Sequence, residues 1–255
     1  MHVIGKDILA PPHSIYWPIM LKAANLPIPK QILAHGWWMS SGEKMSKSTG
    51  EVVDPLSLIE QRGVDPFRYF VMREMTVGQD ADFSLDRFES RYKTDLGNDL
   101  GNLVSRLFHM IATYENGVVP VAELTEEFEQ KLKTHFEEMK PMALDFFSSY
   151  QFNQGLDQIF VFIRAINKYA DERRPWKLAK SDDELDSQKL KTCLGTMVES
   201  LRLAIQLLAP VMPDVHGTVN GLMGLPPCEN WEKDLNWDFR LEGKTLGEKP
   251  ILFPR

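Results

Sequence analysis

Cysteine is almost missing from this chain of 255 residues: Cys193 and Cys228 stand alone, without CxxC spacing or histidine partners. Their scarcity excludes a disulfide framework, argues against a zinc site, and leaves free thiols in a reducing compartment as the expected state. Long apolar runs are missing too. No stretch approaches the roughly eighteen apolar residues of a membrane span, so a soluble protein with no membrane partner is expected. Met1-His2-Val3-Ile4-Gly5-Lys6-Asp7 has neither the basic start and apolar core of a signal peptide nor the arginines of a presequence. A cytoplasmic location is therefore expected, with an organellar one left open. An excess of basic residues is also lacking: 29 Lys and Arg face 36 Asp and Glu, a net charge of −7. Such a balance excludes a protein that coats nucleic acid by bulk charge, though not one with a local site. No internal repeat or low-complexity segment occurs.

What is present is a globular composition, 43% hydrophobic and 25% charged, in a chain able to bury one large core or two smaller ones. The most distinctive stretch is Lys44-Met45-Ser46-Lys47-Ser48, set between Gly42 and Gly50. Two lysines among small hydroxyl residues, bracketed by glycines, read as a shape-changing loop whose charges face an anion, a polyphosphate above all. Lysine is a mobile point charge that can follow negative charge as it moves during a reaction.

Upstream, Val3 and Ile4 could end a buried parallel strand, with Gly5 at the tight turn and Asp7 just past it, where open α/β sheets bind ligands. Ser14 to Lys22 suggests a helix, Ile15, Tyr16, Ile19 and Met20 forming its apolar face. His13, at its start, reads by itself as a core or capping histidine before a ligand. Downstream, short helices are expected over Leu56–Ile59, ending at Gly63, and from Val64, followed by a polar loop over Gln79–Asp82 and a helix capped by Ser84 or Asp86.

From Asp95 to Tyr114 the spacing predicts a helix with Leu96, Leu100, Leu103, Val104, Leu107 and Ile111 on one side. Asn98, Asn102 and Arg106 form an i, i+4, i+8 stripe opposite. A polar outward face is normal for a surface helix, but two amides and a guanidinium in line can also read the edges of unpaired bases. A second helix starts near Thr125-Glu126-Glu127 and should kink or split at Pro141. A third runs from Asn153 and ends before Pro175, and a fourth covers about Ser187 to Leu208. Trp176 then emerges within a basic patch of Arg164, Lys168, Arg173, Arg174, Lys177 and Lys180. Trp231 and Trp237 are expected to pack the tail onto the bundle.

Lys44-Met45-Ser46-Lys47-Ser48 is identical to the KMSKS signature of class I aminoacyl-tRNA synthetases. Gly5-Lys6-Asp7-Ile8, His13, Tyr16-Trp17-Pro18 and Asp171-Glu172-Arg173-Arg174-Pro175-Trp176 occur in the order found in the methionyl-tRNA synthetase family, which the chain resembles throughout. The resemblance implies an α/β plus all-α fold: a C-terminal remnant of a Rossmann-type nucleotide-binding domain (1–53), a stem-contact connector (54–95), an α-helical anticodon-binding bundle (96–230) and a packed tail (231–255). It further implies ATP-dependent activation of methionine and its transfer to tRNA(Met), with ATP and Mg2+ as substrate, no zinc site, and a monomer. Gly5, Asp7, Trp37, Trp38, Lys44, Lys47 and Ser48 would bind ATP, Lys47 and Lys44 serving catalysis. Ile8 and His13 would line the methionine pocket, although Ala10-Pro11-Pro12 sets His13 one residue further from Asp7 than in the family. Asn98, Asn102, Arg106, Arg174, Pro175 and Trp176 would read the anticodon, with Arg173 and Lys177 attracting phosphates. The family's second signature, His-x-Gly-His, and its zinc-bearing insertion are absent, so the sequence resembles the C-terminal half and is not expected to activate methionine alone. A stand-alone tRNA-binding module and a class I enzyme for another apolar amino acid are the alternatives.

Overall fold

A computed structural model describes residues 1–40, 43–44, 54–226 and 234–254. The described chain is mostly helical, with a few short strands. Strand β1 (His2–Gly5) pairs in parallel with β2 (Ile32–His35), His2 opposite Ile32 and Gly5 opposite His35, as the apolar pair before Gly5 suggests. The crossover between them contains helix α1 (Trp17–Ala23). Regular α-helix thus begins three residues later than the pattern predicts. Leu9–Tyr16 winds in wider π turns around Pro12, with Ala10 extended, because prolines remove N–H donors from the helical ladder. The expected apolar face is not a packed one: Ile15, Tyr16, Ile19 and Met20 are exposed, and only Leu21 of α1 is buried.

Strand β3 (Trp38–Ser40) pairs antiparallel with β4 (Glu43–Lys44) and parallel with β5 (Ala81–Asp82). The expected polar loop at 79–82 is therefore in part a strand, too short to show a period. Gly36 makes the approach possible, since a Cβ there would lie 1.9 Å from the carbonyl oxygen of Gln79. Helix α2 (Pro55–Arg62) is capped by Asp54, which accepts from the Leu56 N–H, and ends at Gly63 with φ +91°. Helices α3 (Val64–Glu74) and α4 (Leu85–Arg91) follow, Ser84 capping the latter. Leu58, Phe70, Phe83 and Phe88 form a small core here with Trp38 and Phe67 against it.

The main core belongs to the helices that follow. Tyr92–Gly101 continues from α4 in π turns and runs into α5 (Asn102–Tyr114). Helices α6 (Glu127–Ser148), α7 (Phe152–Arg173), α8 (Pro175–Leu178), α9 (Glu184–Leu208) and α10 (Pro213–Leu222) complete the bundle. The predicted inward residues from Leu96 to Ile111 are buried, as are Leu156, Ile159, Phe160, Ile163 and Ile166 of α7 and Leu190, Leu194, Met197, Leu201, Ile205 and Leu208 of α9. Two corrections apply. Pro141 does not split α6, which runs on to Ser148; its ring is exposed, and packing along α7 outweighs one lost backbone hydrogen bond. Helix α9 is buried on all sides from Thr192 to Leu208, so it is the axis of the bundle and not a one-sided wall. Trp237 packs on the bundle, its ring 5.8 Å from that of Phe136, as expected of the tail; Trp231 lies outside the described residues. Among the described residues no helix is long and apolar enough to cross a membrane.

Candidate functional site

The polar stripe predicted on α5 and the turns before it lines an open cleft of about 520 Å³. Asn98, Asn102 and Arg106 supply one wall, and Asn167 and Asp171 of α7 the other. Although Asn98 lies in the π-wound stretch, it still shares the cleft with Asn102. The Arg106 guanidinium sits between two partners: Nη1 is 3.3 Å from Asp171 Oδ1, and the group lies 5.9 Å from the centre of the Trp176 ring. Asn167 Nδ2 donates to the Asp99 carbonyl at 2.9 Å, and Arg164 pairs with the Asp99 carboxylate at 3.4 Å. Burial raises the Asp99 carboxyl above its usual range, opposed by Arg164. The cleft is thus of mixed sign. Its cations and amides face carboxylates that repel a phosphate and accept from an amino group.

Trp176 comes beside Arg106, a residue of the cleft wall, because α7 stops abruptly. Arg174 takes a left-handed conformation (φ 51°, ψ 57°), ends α7 and starts α8. Pro175 follows it, buried, at the first helical position, where its missing N–H costs nothing. Sequence reasoning missed Asp171 as the partner of Arg106, since spacing within one helix says nothing about a second. One expectation is overturned. Arg173 is not a free surface cation for phosphates: its side chain is 7% exposed and pairs with Glu126 and Glu129.

Around the first strand pair, Gly5 leaves room that a Cβ would take from Asp7, whose Oδ1 would lie 2.7 Å away. His13 Nδ1 contacts the carbonyl oxygen of Ile8 at 2.8 Å, and the His13 ring lines a shallow pocket with His2, Ile4 and Trp17; Ile8 itself is exposed. Lys6 stands out here, unpredicted. Its ammonium pairs with Asp80 at 2.7 Å and lies 4.6 Å from the centre of the Trp37 ring. Asp80 also accepts the Trp37 backbone N–H at 2.8 Å, while the Trp37 carbonyl accepts from Ala81. The hydrogen bond from Lys6, then that from Trp37, lowers the Asp80 carboxyl. Both backbone groups of Trp37 are therefore engaged within the protein, and Trp38 packs against Phe70 and Phe83. Of the lysine loop, Lys44 is described only as part of β4, and Lys47 and Ser48 lie outside the described residues. Among the described residues no group of three or more His, Cys, Asp or Glu side chains could hold a metal ion.

Residues 1–108 match the family model of tRNA synthetases class I (M). A parallel strand pair leading into helices, in a sequence that carries the Lys44–Ser48 signature, thus belongs to a class I tRNA synthetase. Over its whole length the chain is 37% identical to a methionine--tRNA ligase of Fusobacterium nucleatum and 39% identical to one of Caldanaerobacter subterraneus. The crystal structure of Mycobacterium tuberculosis methionyl-tRNA synthetase bound by methionyl-adenylate superimposes with a TM-score of 0.92 at 34% identity, covering 99% of this chain. The chain belongs to the methionyl-tRNA synthetase family. It spans 40% of the length of each of these two curated relatives and 49% of that solved chain.

Proposed function

We propose that this chain carries the anticodon reader and the lysine loop of a methionine-tRNA ligase, which joins methionine to tRNA(Met) through methionyl-adenylate. In this reading residues 1–53 are the end of a Rossmann-type catalytic domain, 54–95 the stem-contact connector, and 96–230 the anticodon-binding bundle with its packed tail. The chain acts as a monomer in the cytoplasm. The observation that supports it best is that Arg106, which shares one wall of an open cleft with Asn98 and Asn102, lies between Asp171, 65 residues along the chain, and the Trp176 ring.

Each part has chemistry suited to an unpaired loop. The Trp176 ring offers a stacking platform, worth roughly 1–3 kcal/mol per base. Cytosine and adenine, the first two bases of a CAU anticodon, each carry an exocyclic amino group. Carboxylates at Asp99 and Asp171 accept from such groups and repel the phosphate backbone, while Asn102 and Arg106 donate to base carbonyls and ring nitrogens. Arg174 and Pro175 serve by setting the turn that presents Trp176. A CAU hairpin should bind this chain at least tenfold more tightly than one with its first anticodon base changed, by equilibrium fluorescence titration. Equal binding of both hairpins would remove the anticodon reading.

At the other end, ATP with Mg2+ and methionine are the substrates. The methionine carboxylate attacks the α-phosphate, and protein groups contribute position and charge without a covalent intermediate. In this reading Gly5 and Asp7 serve the ribose, Trp37 and Trp38 adenine, Ser48 the phosphates, and Ile8 and His13 the methionine side chain. Lys47, assisted by Lys44, meets charge developing on the departing pyrophosphate. Removing one such contact costs on the order of 3 kcal/mol, about a hundredfold in rate. Pyrophosphate exchange, measured on the chain with the N-terminal half of a relative added, should therefore fall about a hundredfold in Lys47→Ala; an unchanged rate would refute the role of Lys47.

A further inference from the structure

A buried ionic cluster closes the end of α7 one residue before the turn that carries Trp176. Arg173 Nη1 lies 2.5 Å from Glu126 Oε2, and its Nε lies 3.1 Å from Glu129 Oε1. Glu129 is itself buried, and its carboxylate accepts from the Tyr169 hydroxyl at 2.6 Å and from the Glu126 backbone N–H at 3.1 Å. Tyr169 and Arg173 are four residues apart, on one face of the last turn of α7. A single carboxylate at the start of α6 therefore ties down both positions of that turn. The next residue, Arg174, is left-handed without being glycine, a conformation that costs a side-chain-bearing residue energy and persists only where its surroundings hold it.

Stability alone does not explain the cluster. A buried ion pair pays desolvation that a well-packed apolar pair avoids, so its particular contribution is direction. Here the direction is fixed at the last residue before the Arg174 turn. We infer that Glu129, together with Tyr169 and Arg173, is a positioning site that holds the end of α7 so that the Arg174 turn presents the Trp176 ring beside Arg106, ready for a base. This inference rests on the anticodon reading above. Glu129 touches no RNA in it and acts only through Arg173 and Tyr169.

The test is a double-mutant cycle on the full chain, read by binding of a CAU hairpin and of a hairpin with its first anticodon base changed. Glu129→Gln keeps the shape and removes the charge; Tyr169→Phe removes one hydrogen bond and serves where Glu129→Gln fails to fold. Each should leave the circular-dichroism spectrum intact, weaken the CAU hairpin roughly three- to tenfold, and reduce discrimination between the hairpins. In a Trp176→Ala background the same substitutions should change binding less than twofold, because the ring they position is gone. Equal losses with and without Trp176, or binding by both folded variants at the parent level, would overturn the positioning role. If Trp176→Ala alone binds both hairpins as the parent does, the anticodon reading itself fails and the inference falls with it.

Discussion

Arg106 and Arg173 show how far a side chain's surroundings decide what the same guanidinium does. Arg106 is part exposed between Asp171 and Trp176, a planar fork held in place yet open to a ligand. Substituting Arg106→Ala should weaken CAU hairpin binding about tenfold, a loss of the order of a hydrogen bond to a charged group, and Arg106→Lys should restore little of it because an ammonium cannot make the fork's paired contacts. Parent-like binding by Arg106→Ala in a titration would contradict that assignment. Arg173, one of six basic residues in a short stretch, is indistinguishable from its neighbours by composition, and only the fold separates it from them. Cys193 is a similar case. Burial pushes its thiol up to about 12, so almost no thiolate exists at pH 8. Iodoacetamide at that pH should leave Cys193 unmodified in the folded chain, as peptide mass mapping would report; labelling at the rate of a free thiol would mean that the site opens.

At the scale of elements, boundaries that depend on a local cap were legible. Gly63 and Ser84 act where their chemistry places them, and α7 ends before Pro175. What depends on a distant partner was not. Ala81 and Asp82 become a strand only because Gly36 lets the chain approach. Replacing Gly36 by Ala should therefore lower the melting temperature by several degrees, since the added carbon meets backbone and not a flexible tip. Helix α9 is the sharper case. Its heptad-like row of Leu and Met predicts one buried side, whereas the other side is buried too, around Glu199 and Arg202. That pair is 1–2% exposed, with a 2.6 Å contact, and Arg202 also donates to the carbonyls of Asp234 and Asn236. Arg202→Ala leaves Glu199 buried without its partner, which should cost roughly 3–5 kcal/mol in urea unfolding. Pairing it with Glu199→Leu should return most of that loss; a single variant as stable as the parent would show that water reaches the site.

For the whole molecule, the family was legible from the five-residue signature at 44–48 with the motifs at 5–8, 16–18 and 171–176, while the placement of the cleft needed the fold to bring α5 and the end of α7 together. Stability against pH is also a property of the whole. Burial lowers the imidazoles of both His135 and His216, the latter hydrogen-bonded to Gln206 at 2.9 Å. A histidine depressed in the folded state is protonated first in the unfolded one, so stability is full above the ordinary value near 6.5 and falls as pH drops below it. Melting temperature should decline between pH 7 and pH 5, and His216→Asn should flatten that decline; an unchanged slope would show that His216 titrates normally.

The central claim, that Trp176 stacks on the first anticodon base beside Arg106, is tested most directly by placing a fluorescent cytosine analogue at that position of a CAU hairpin. Binding to the parent chain should change its emission strongly, and Trp176→Ala should abolish the change at saturating protein. Saturable binding with no change in emission, or the same change with and without the indole, would contradict the account.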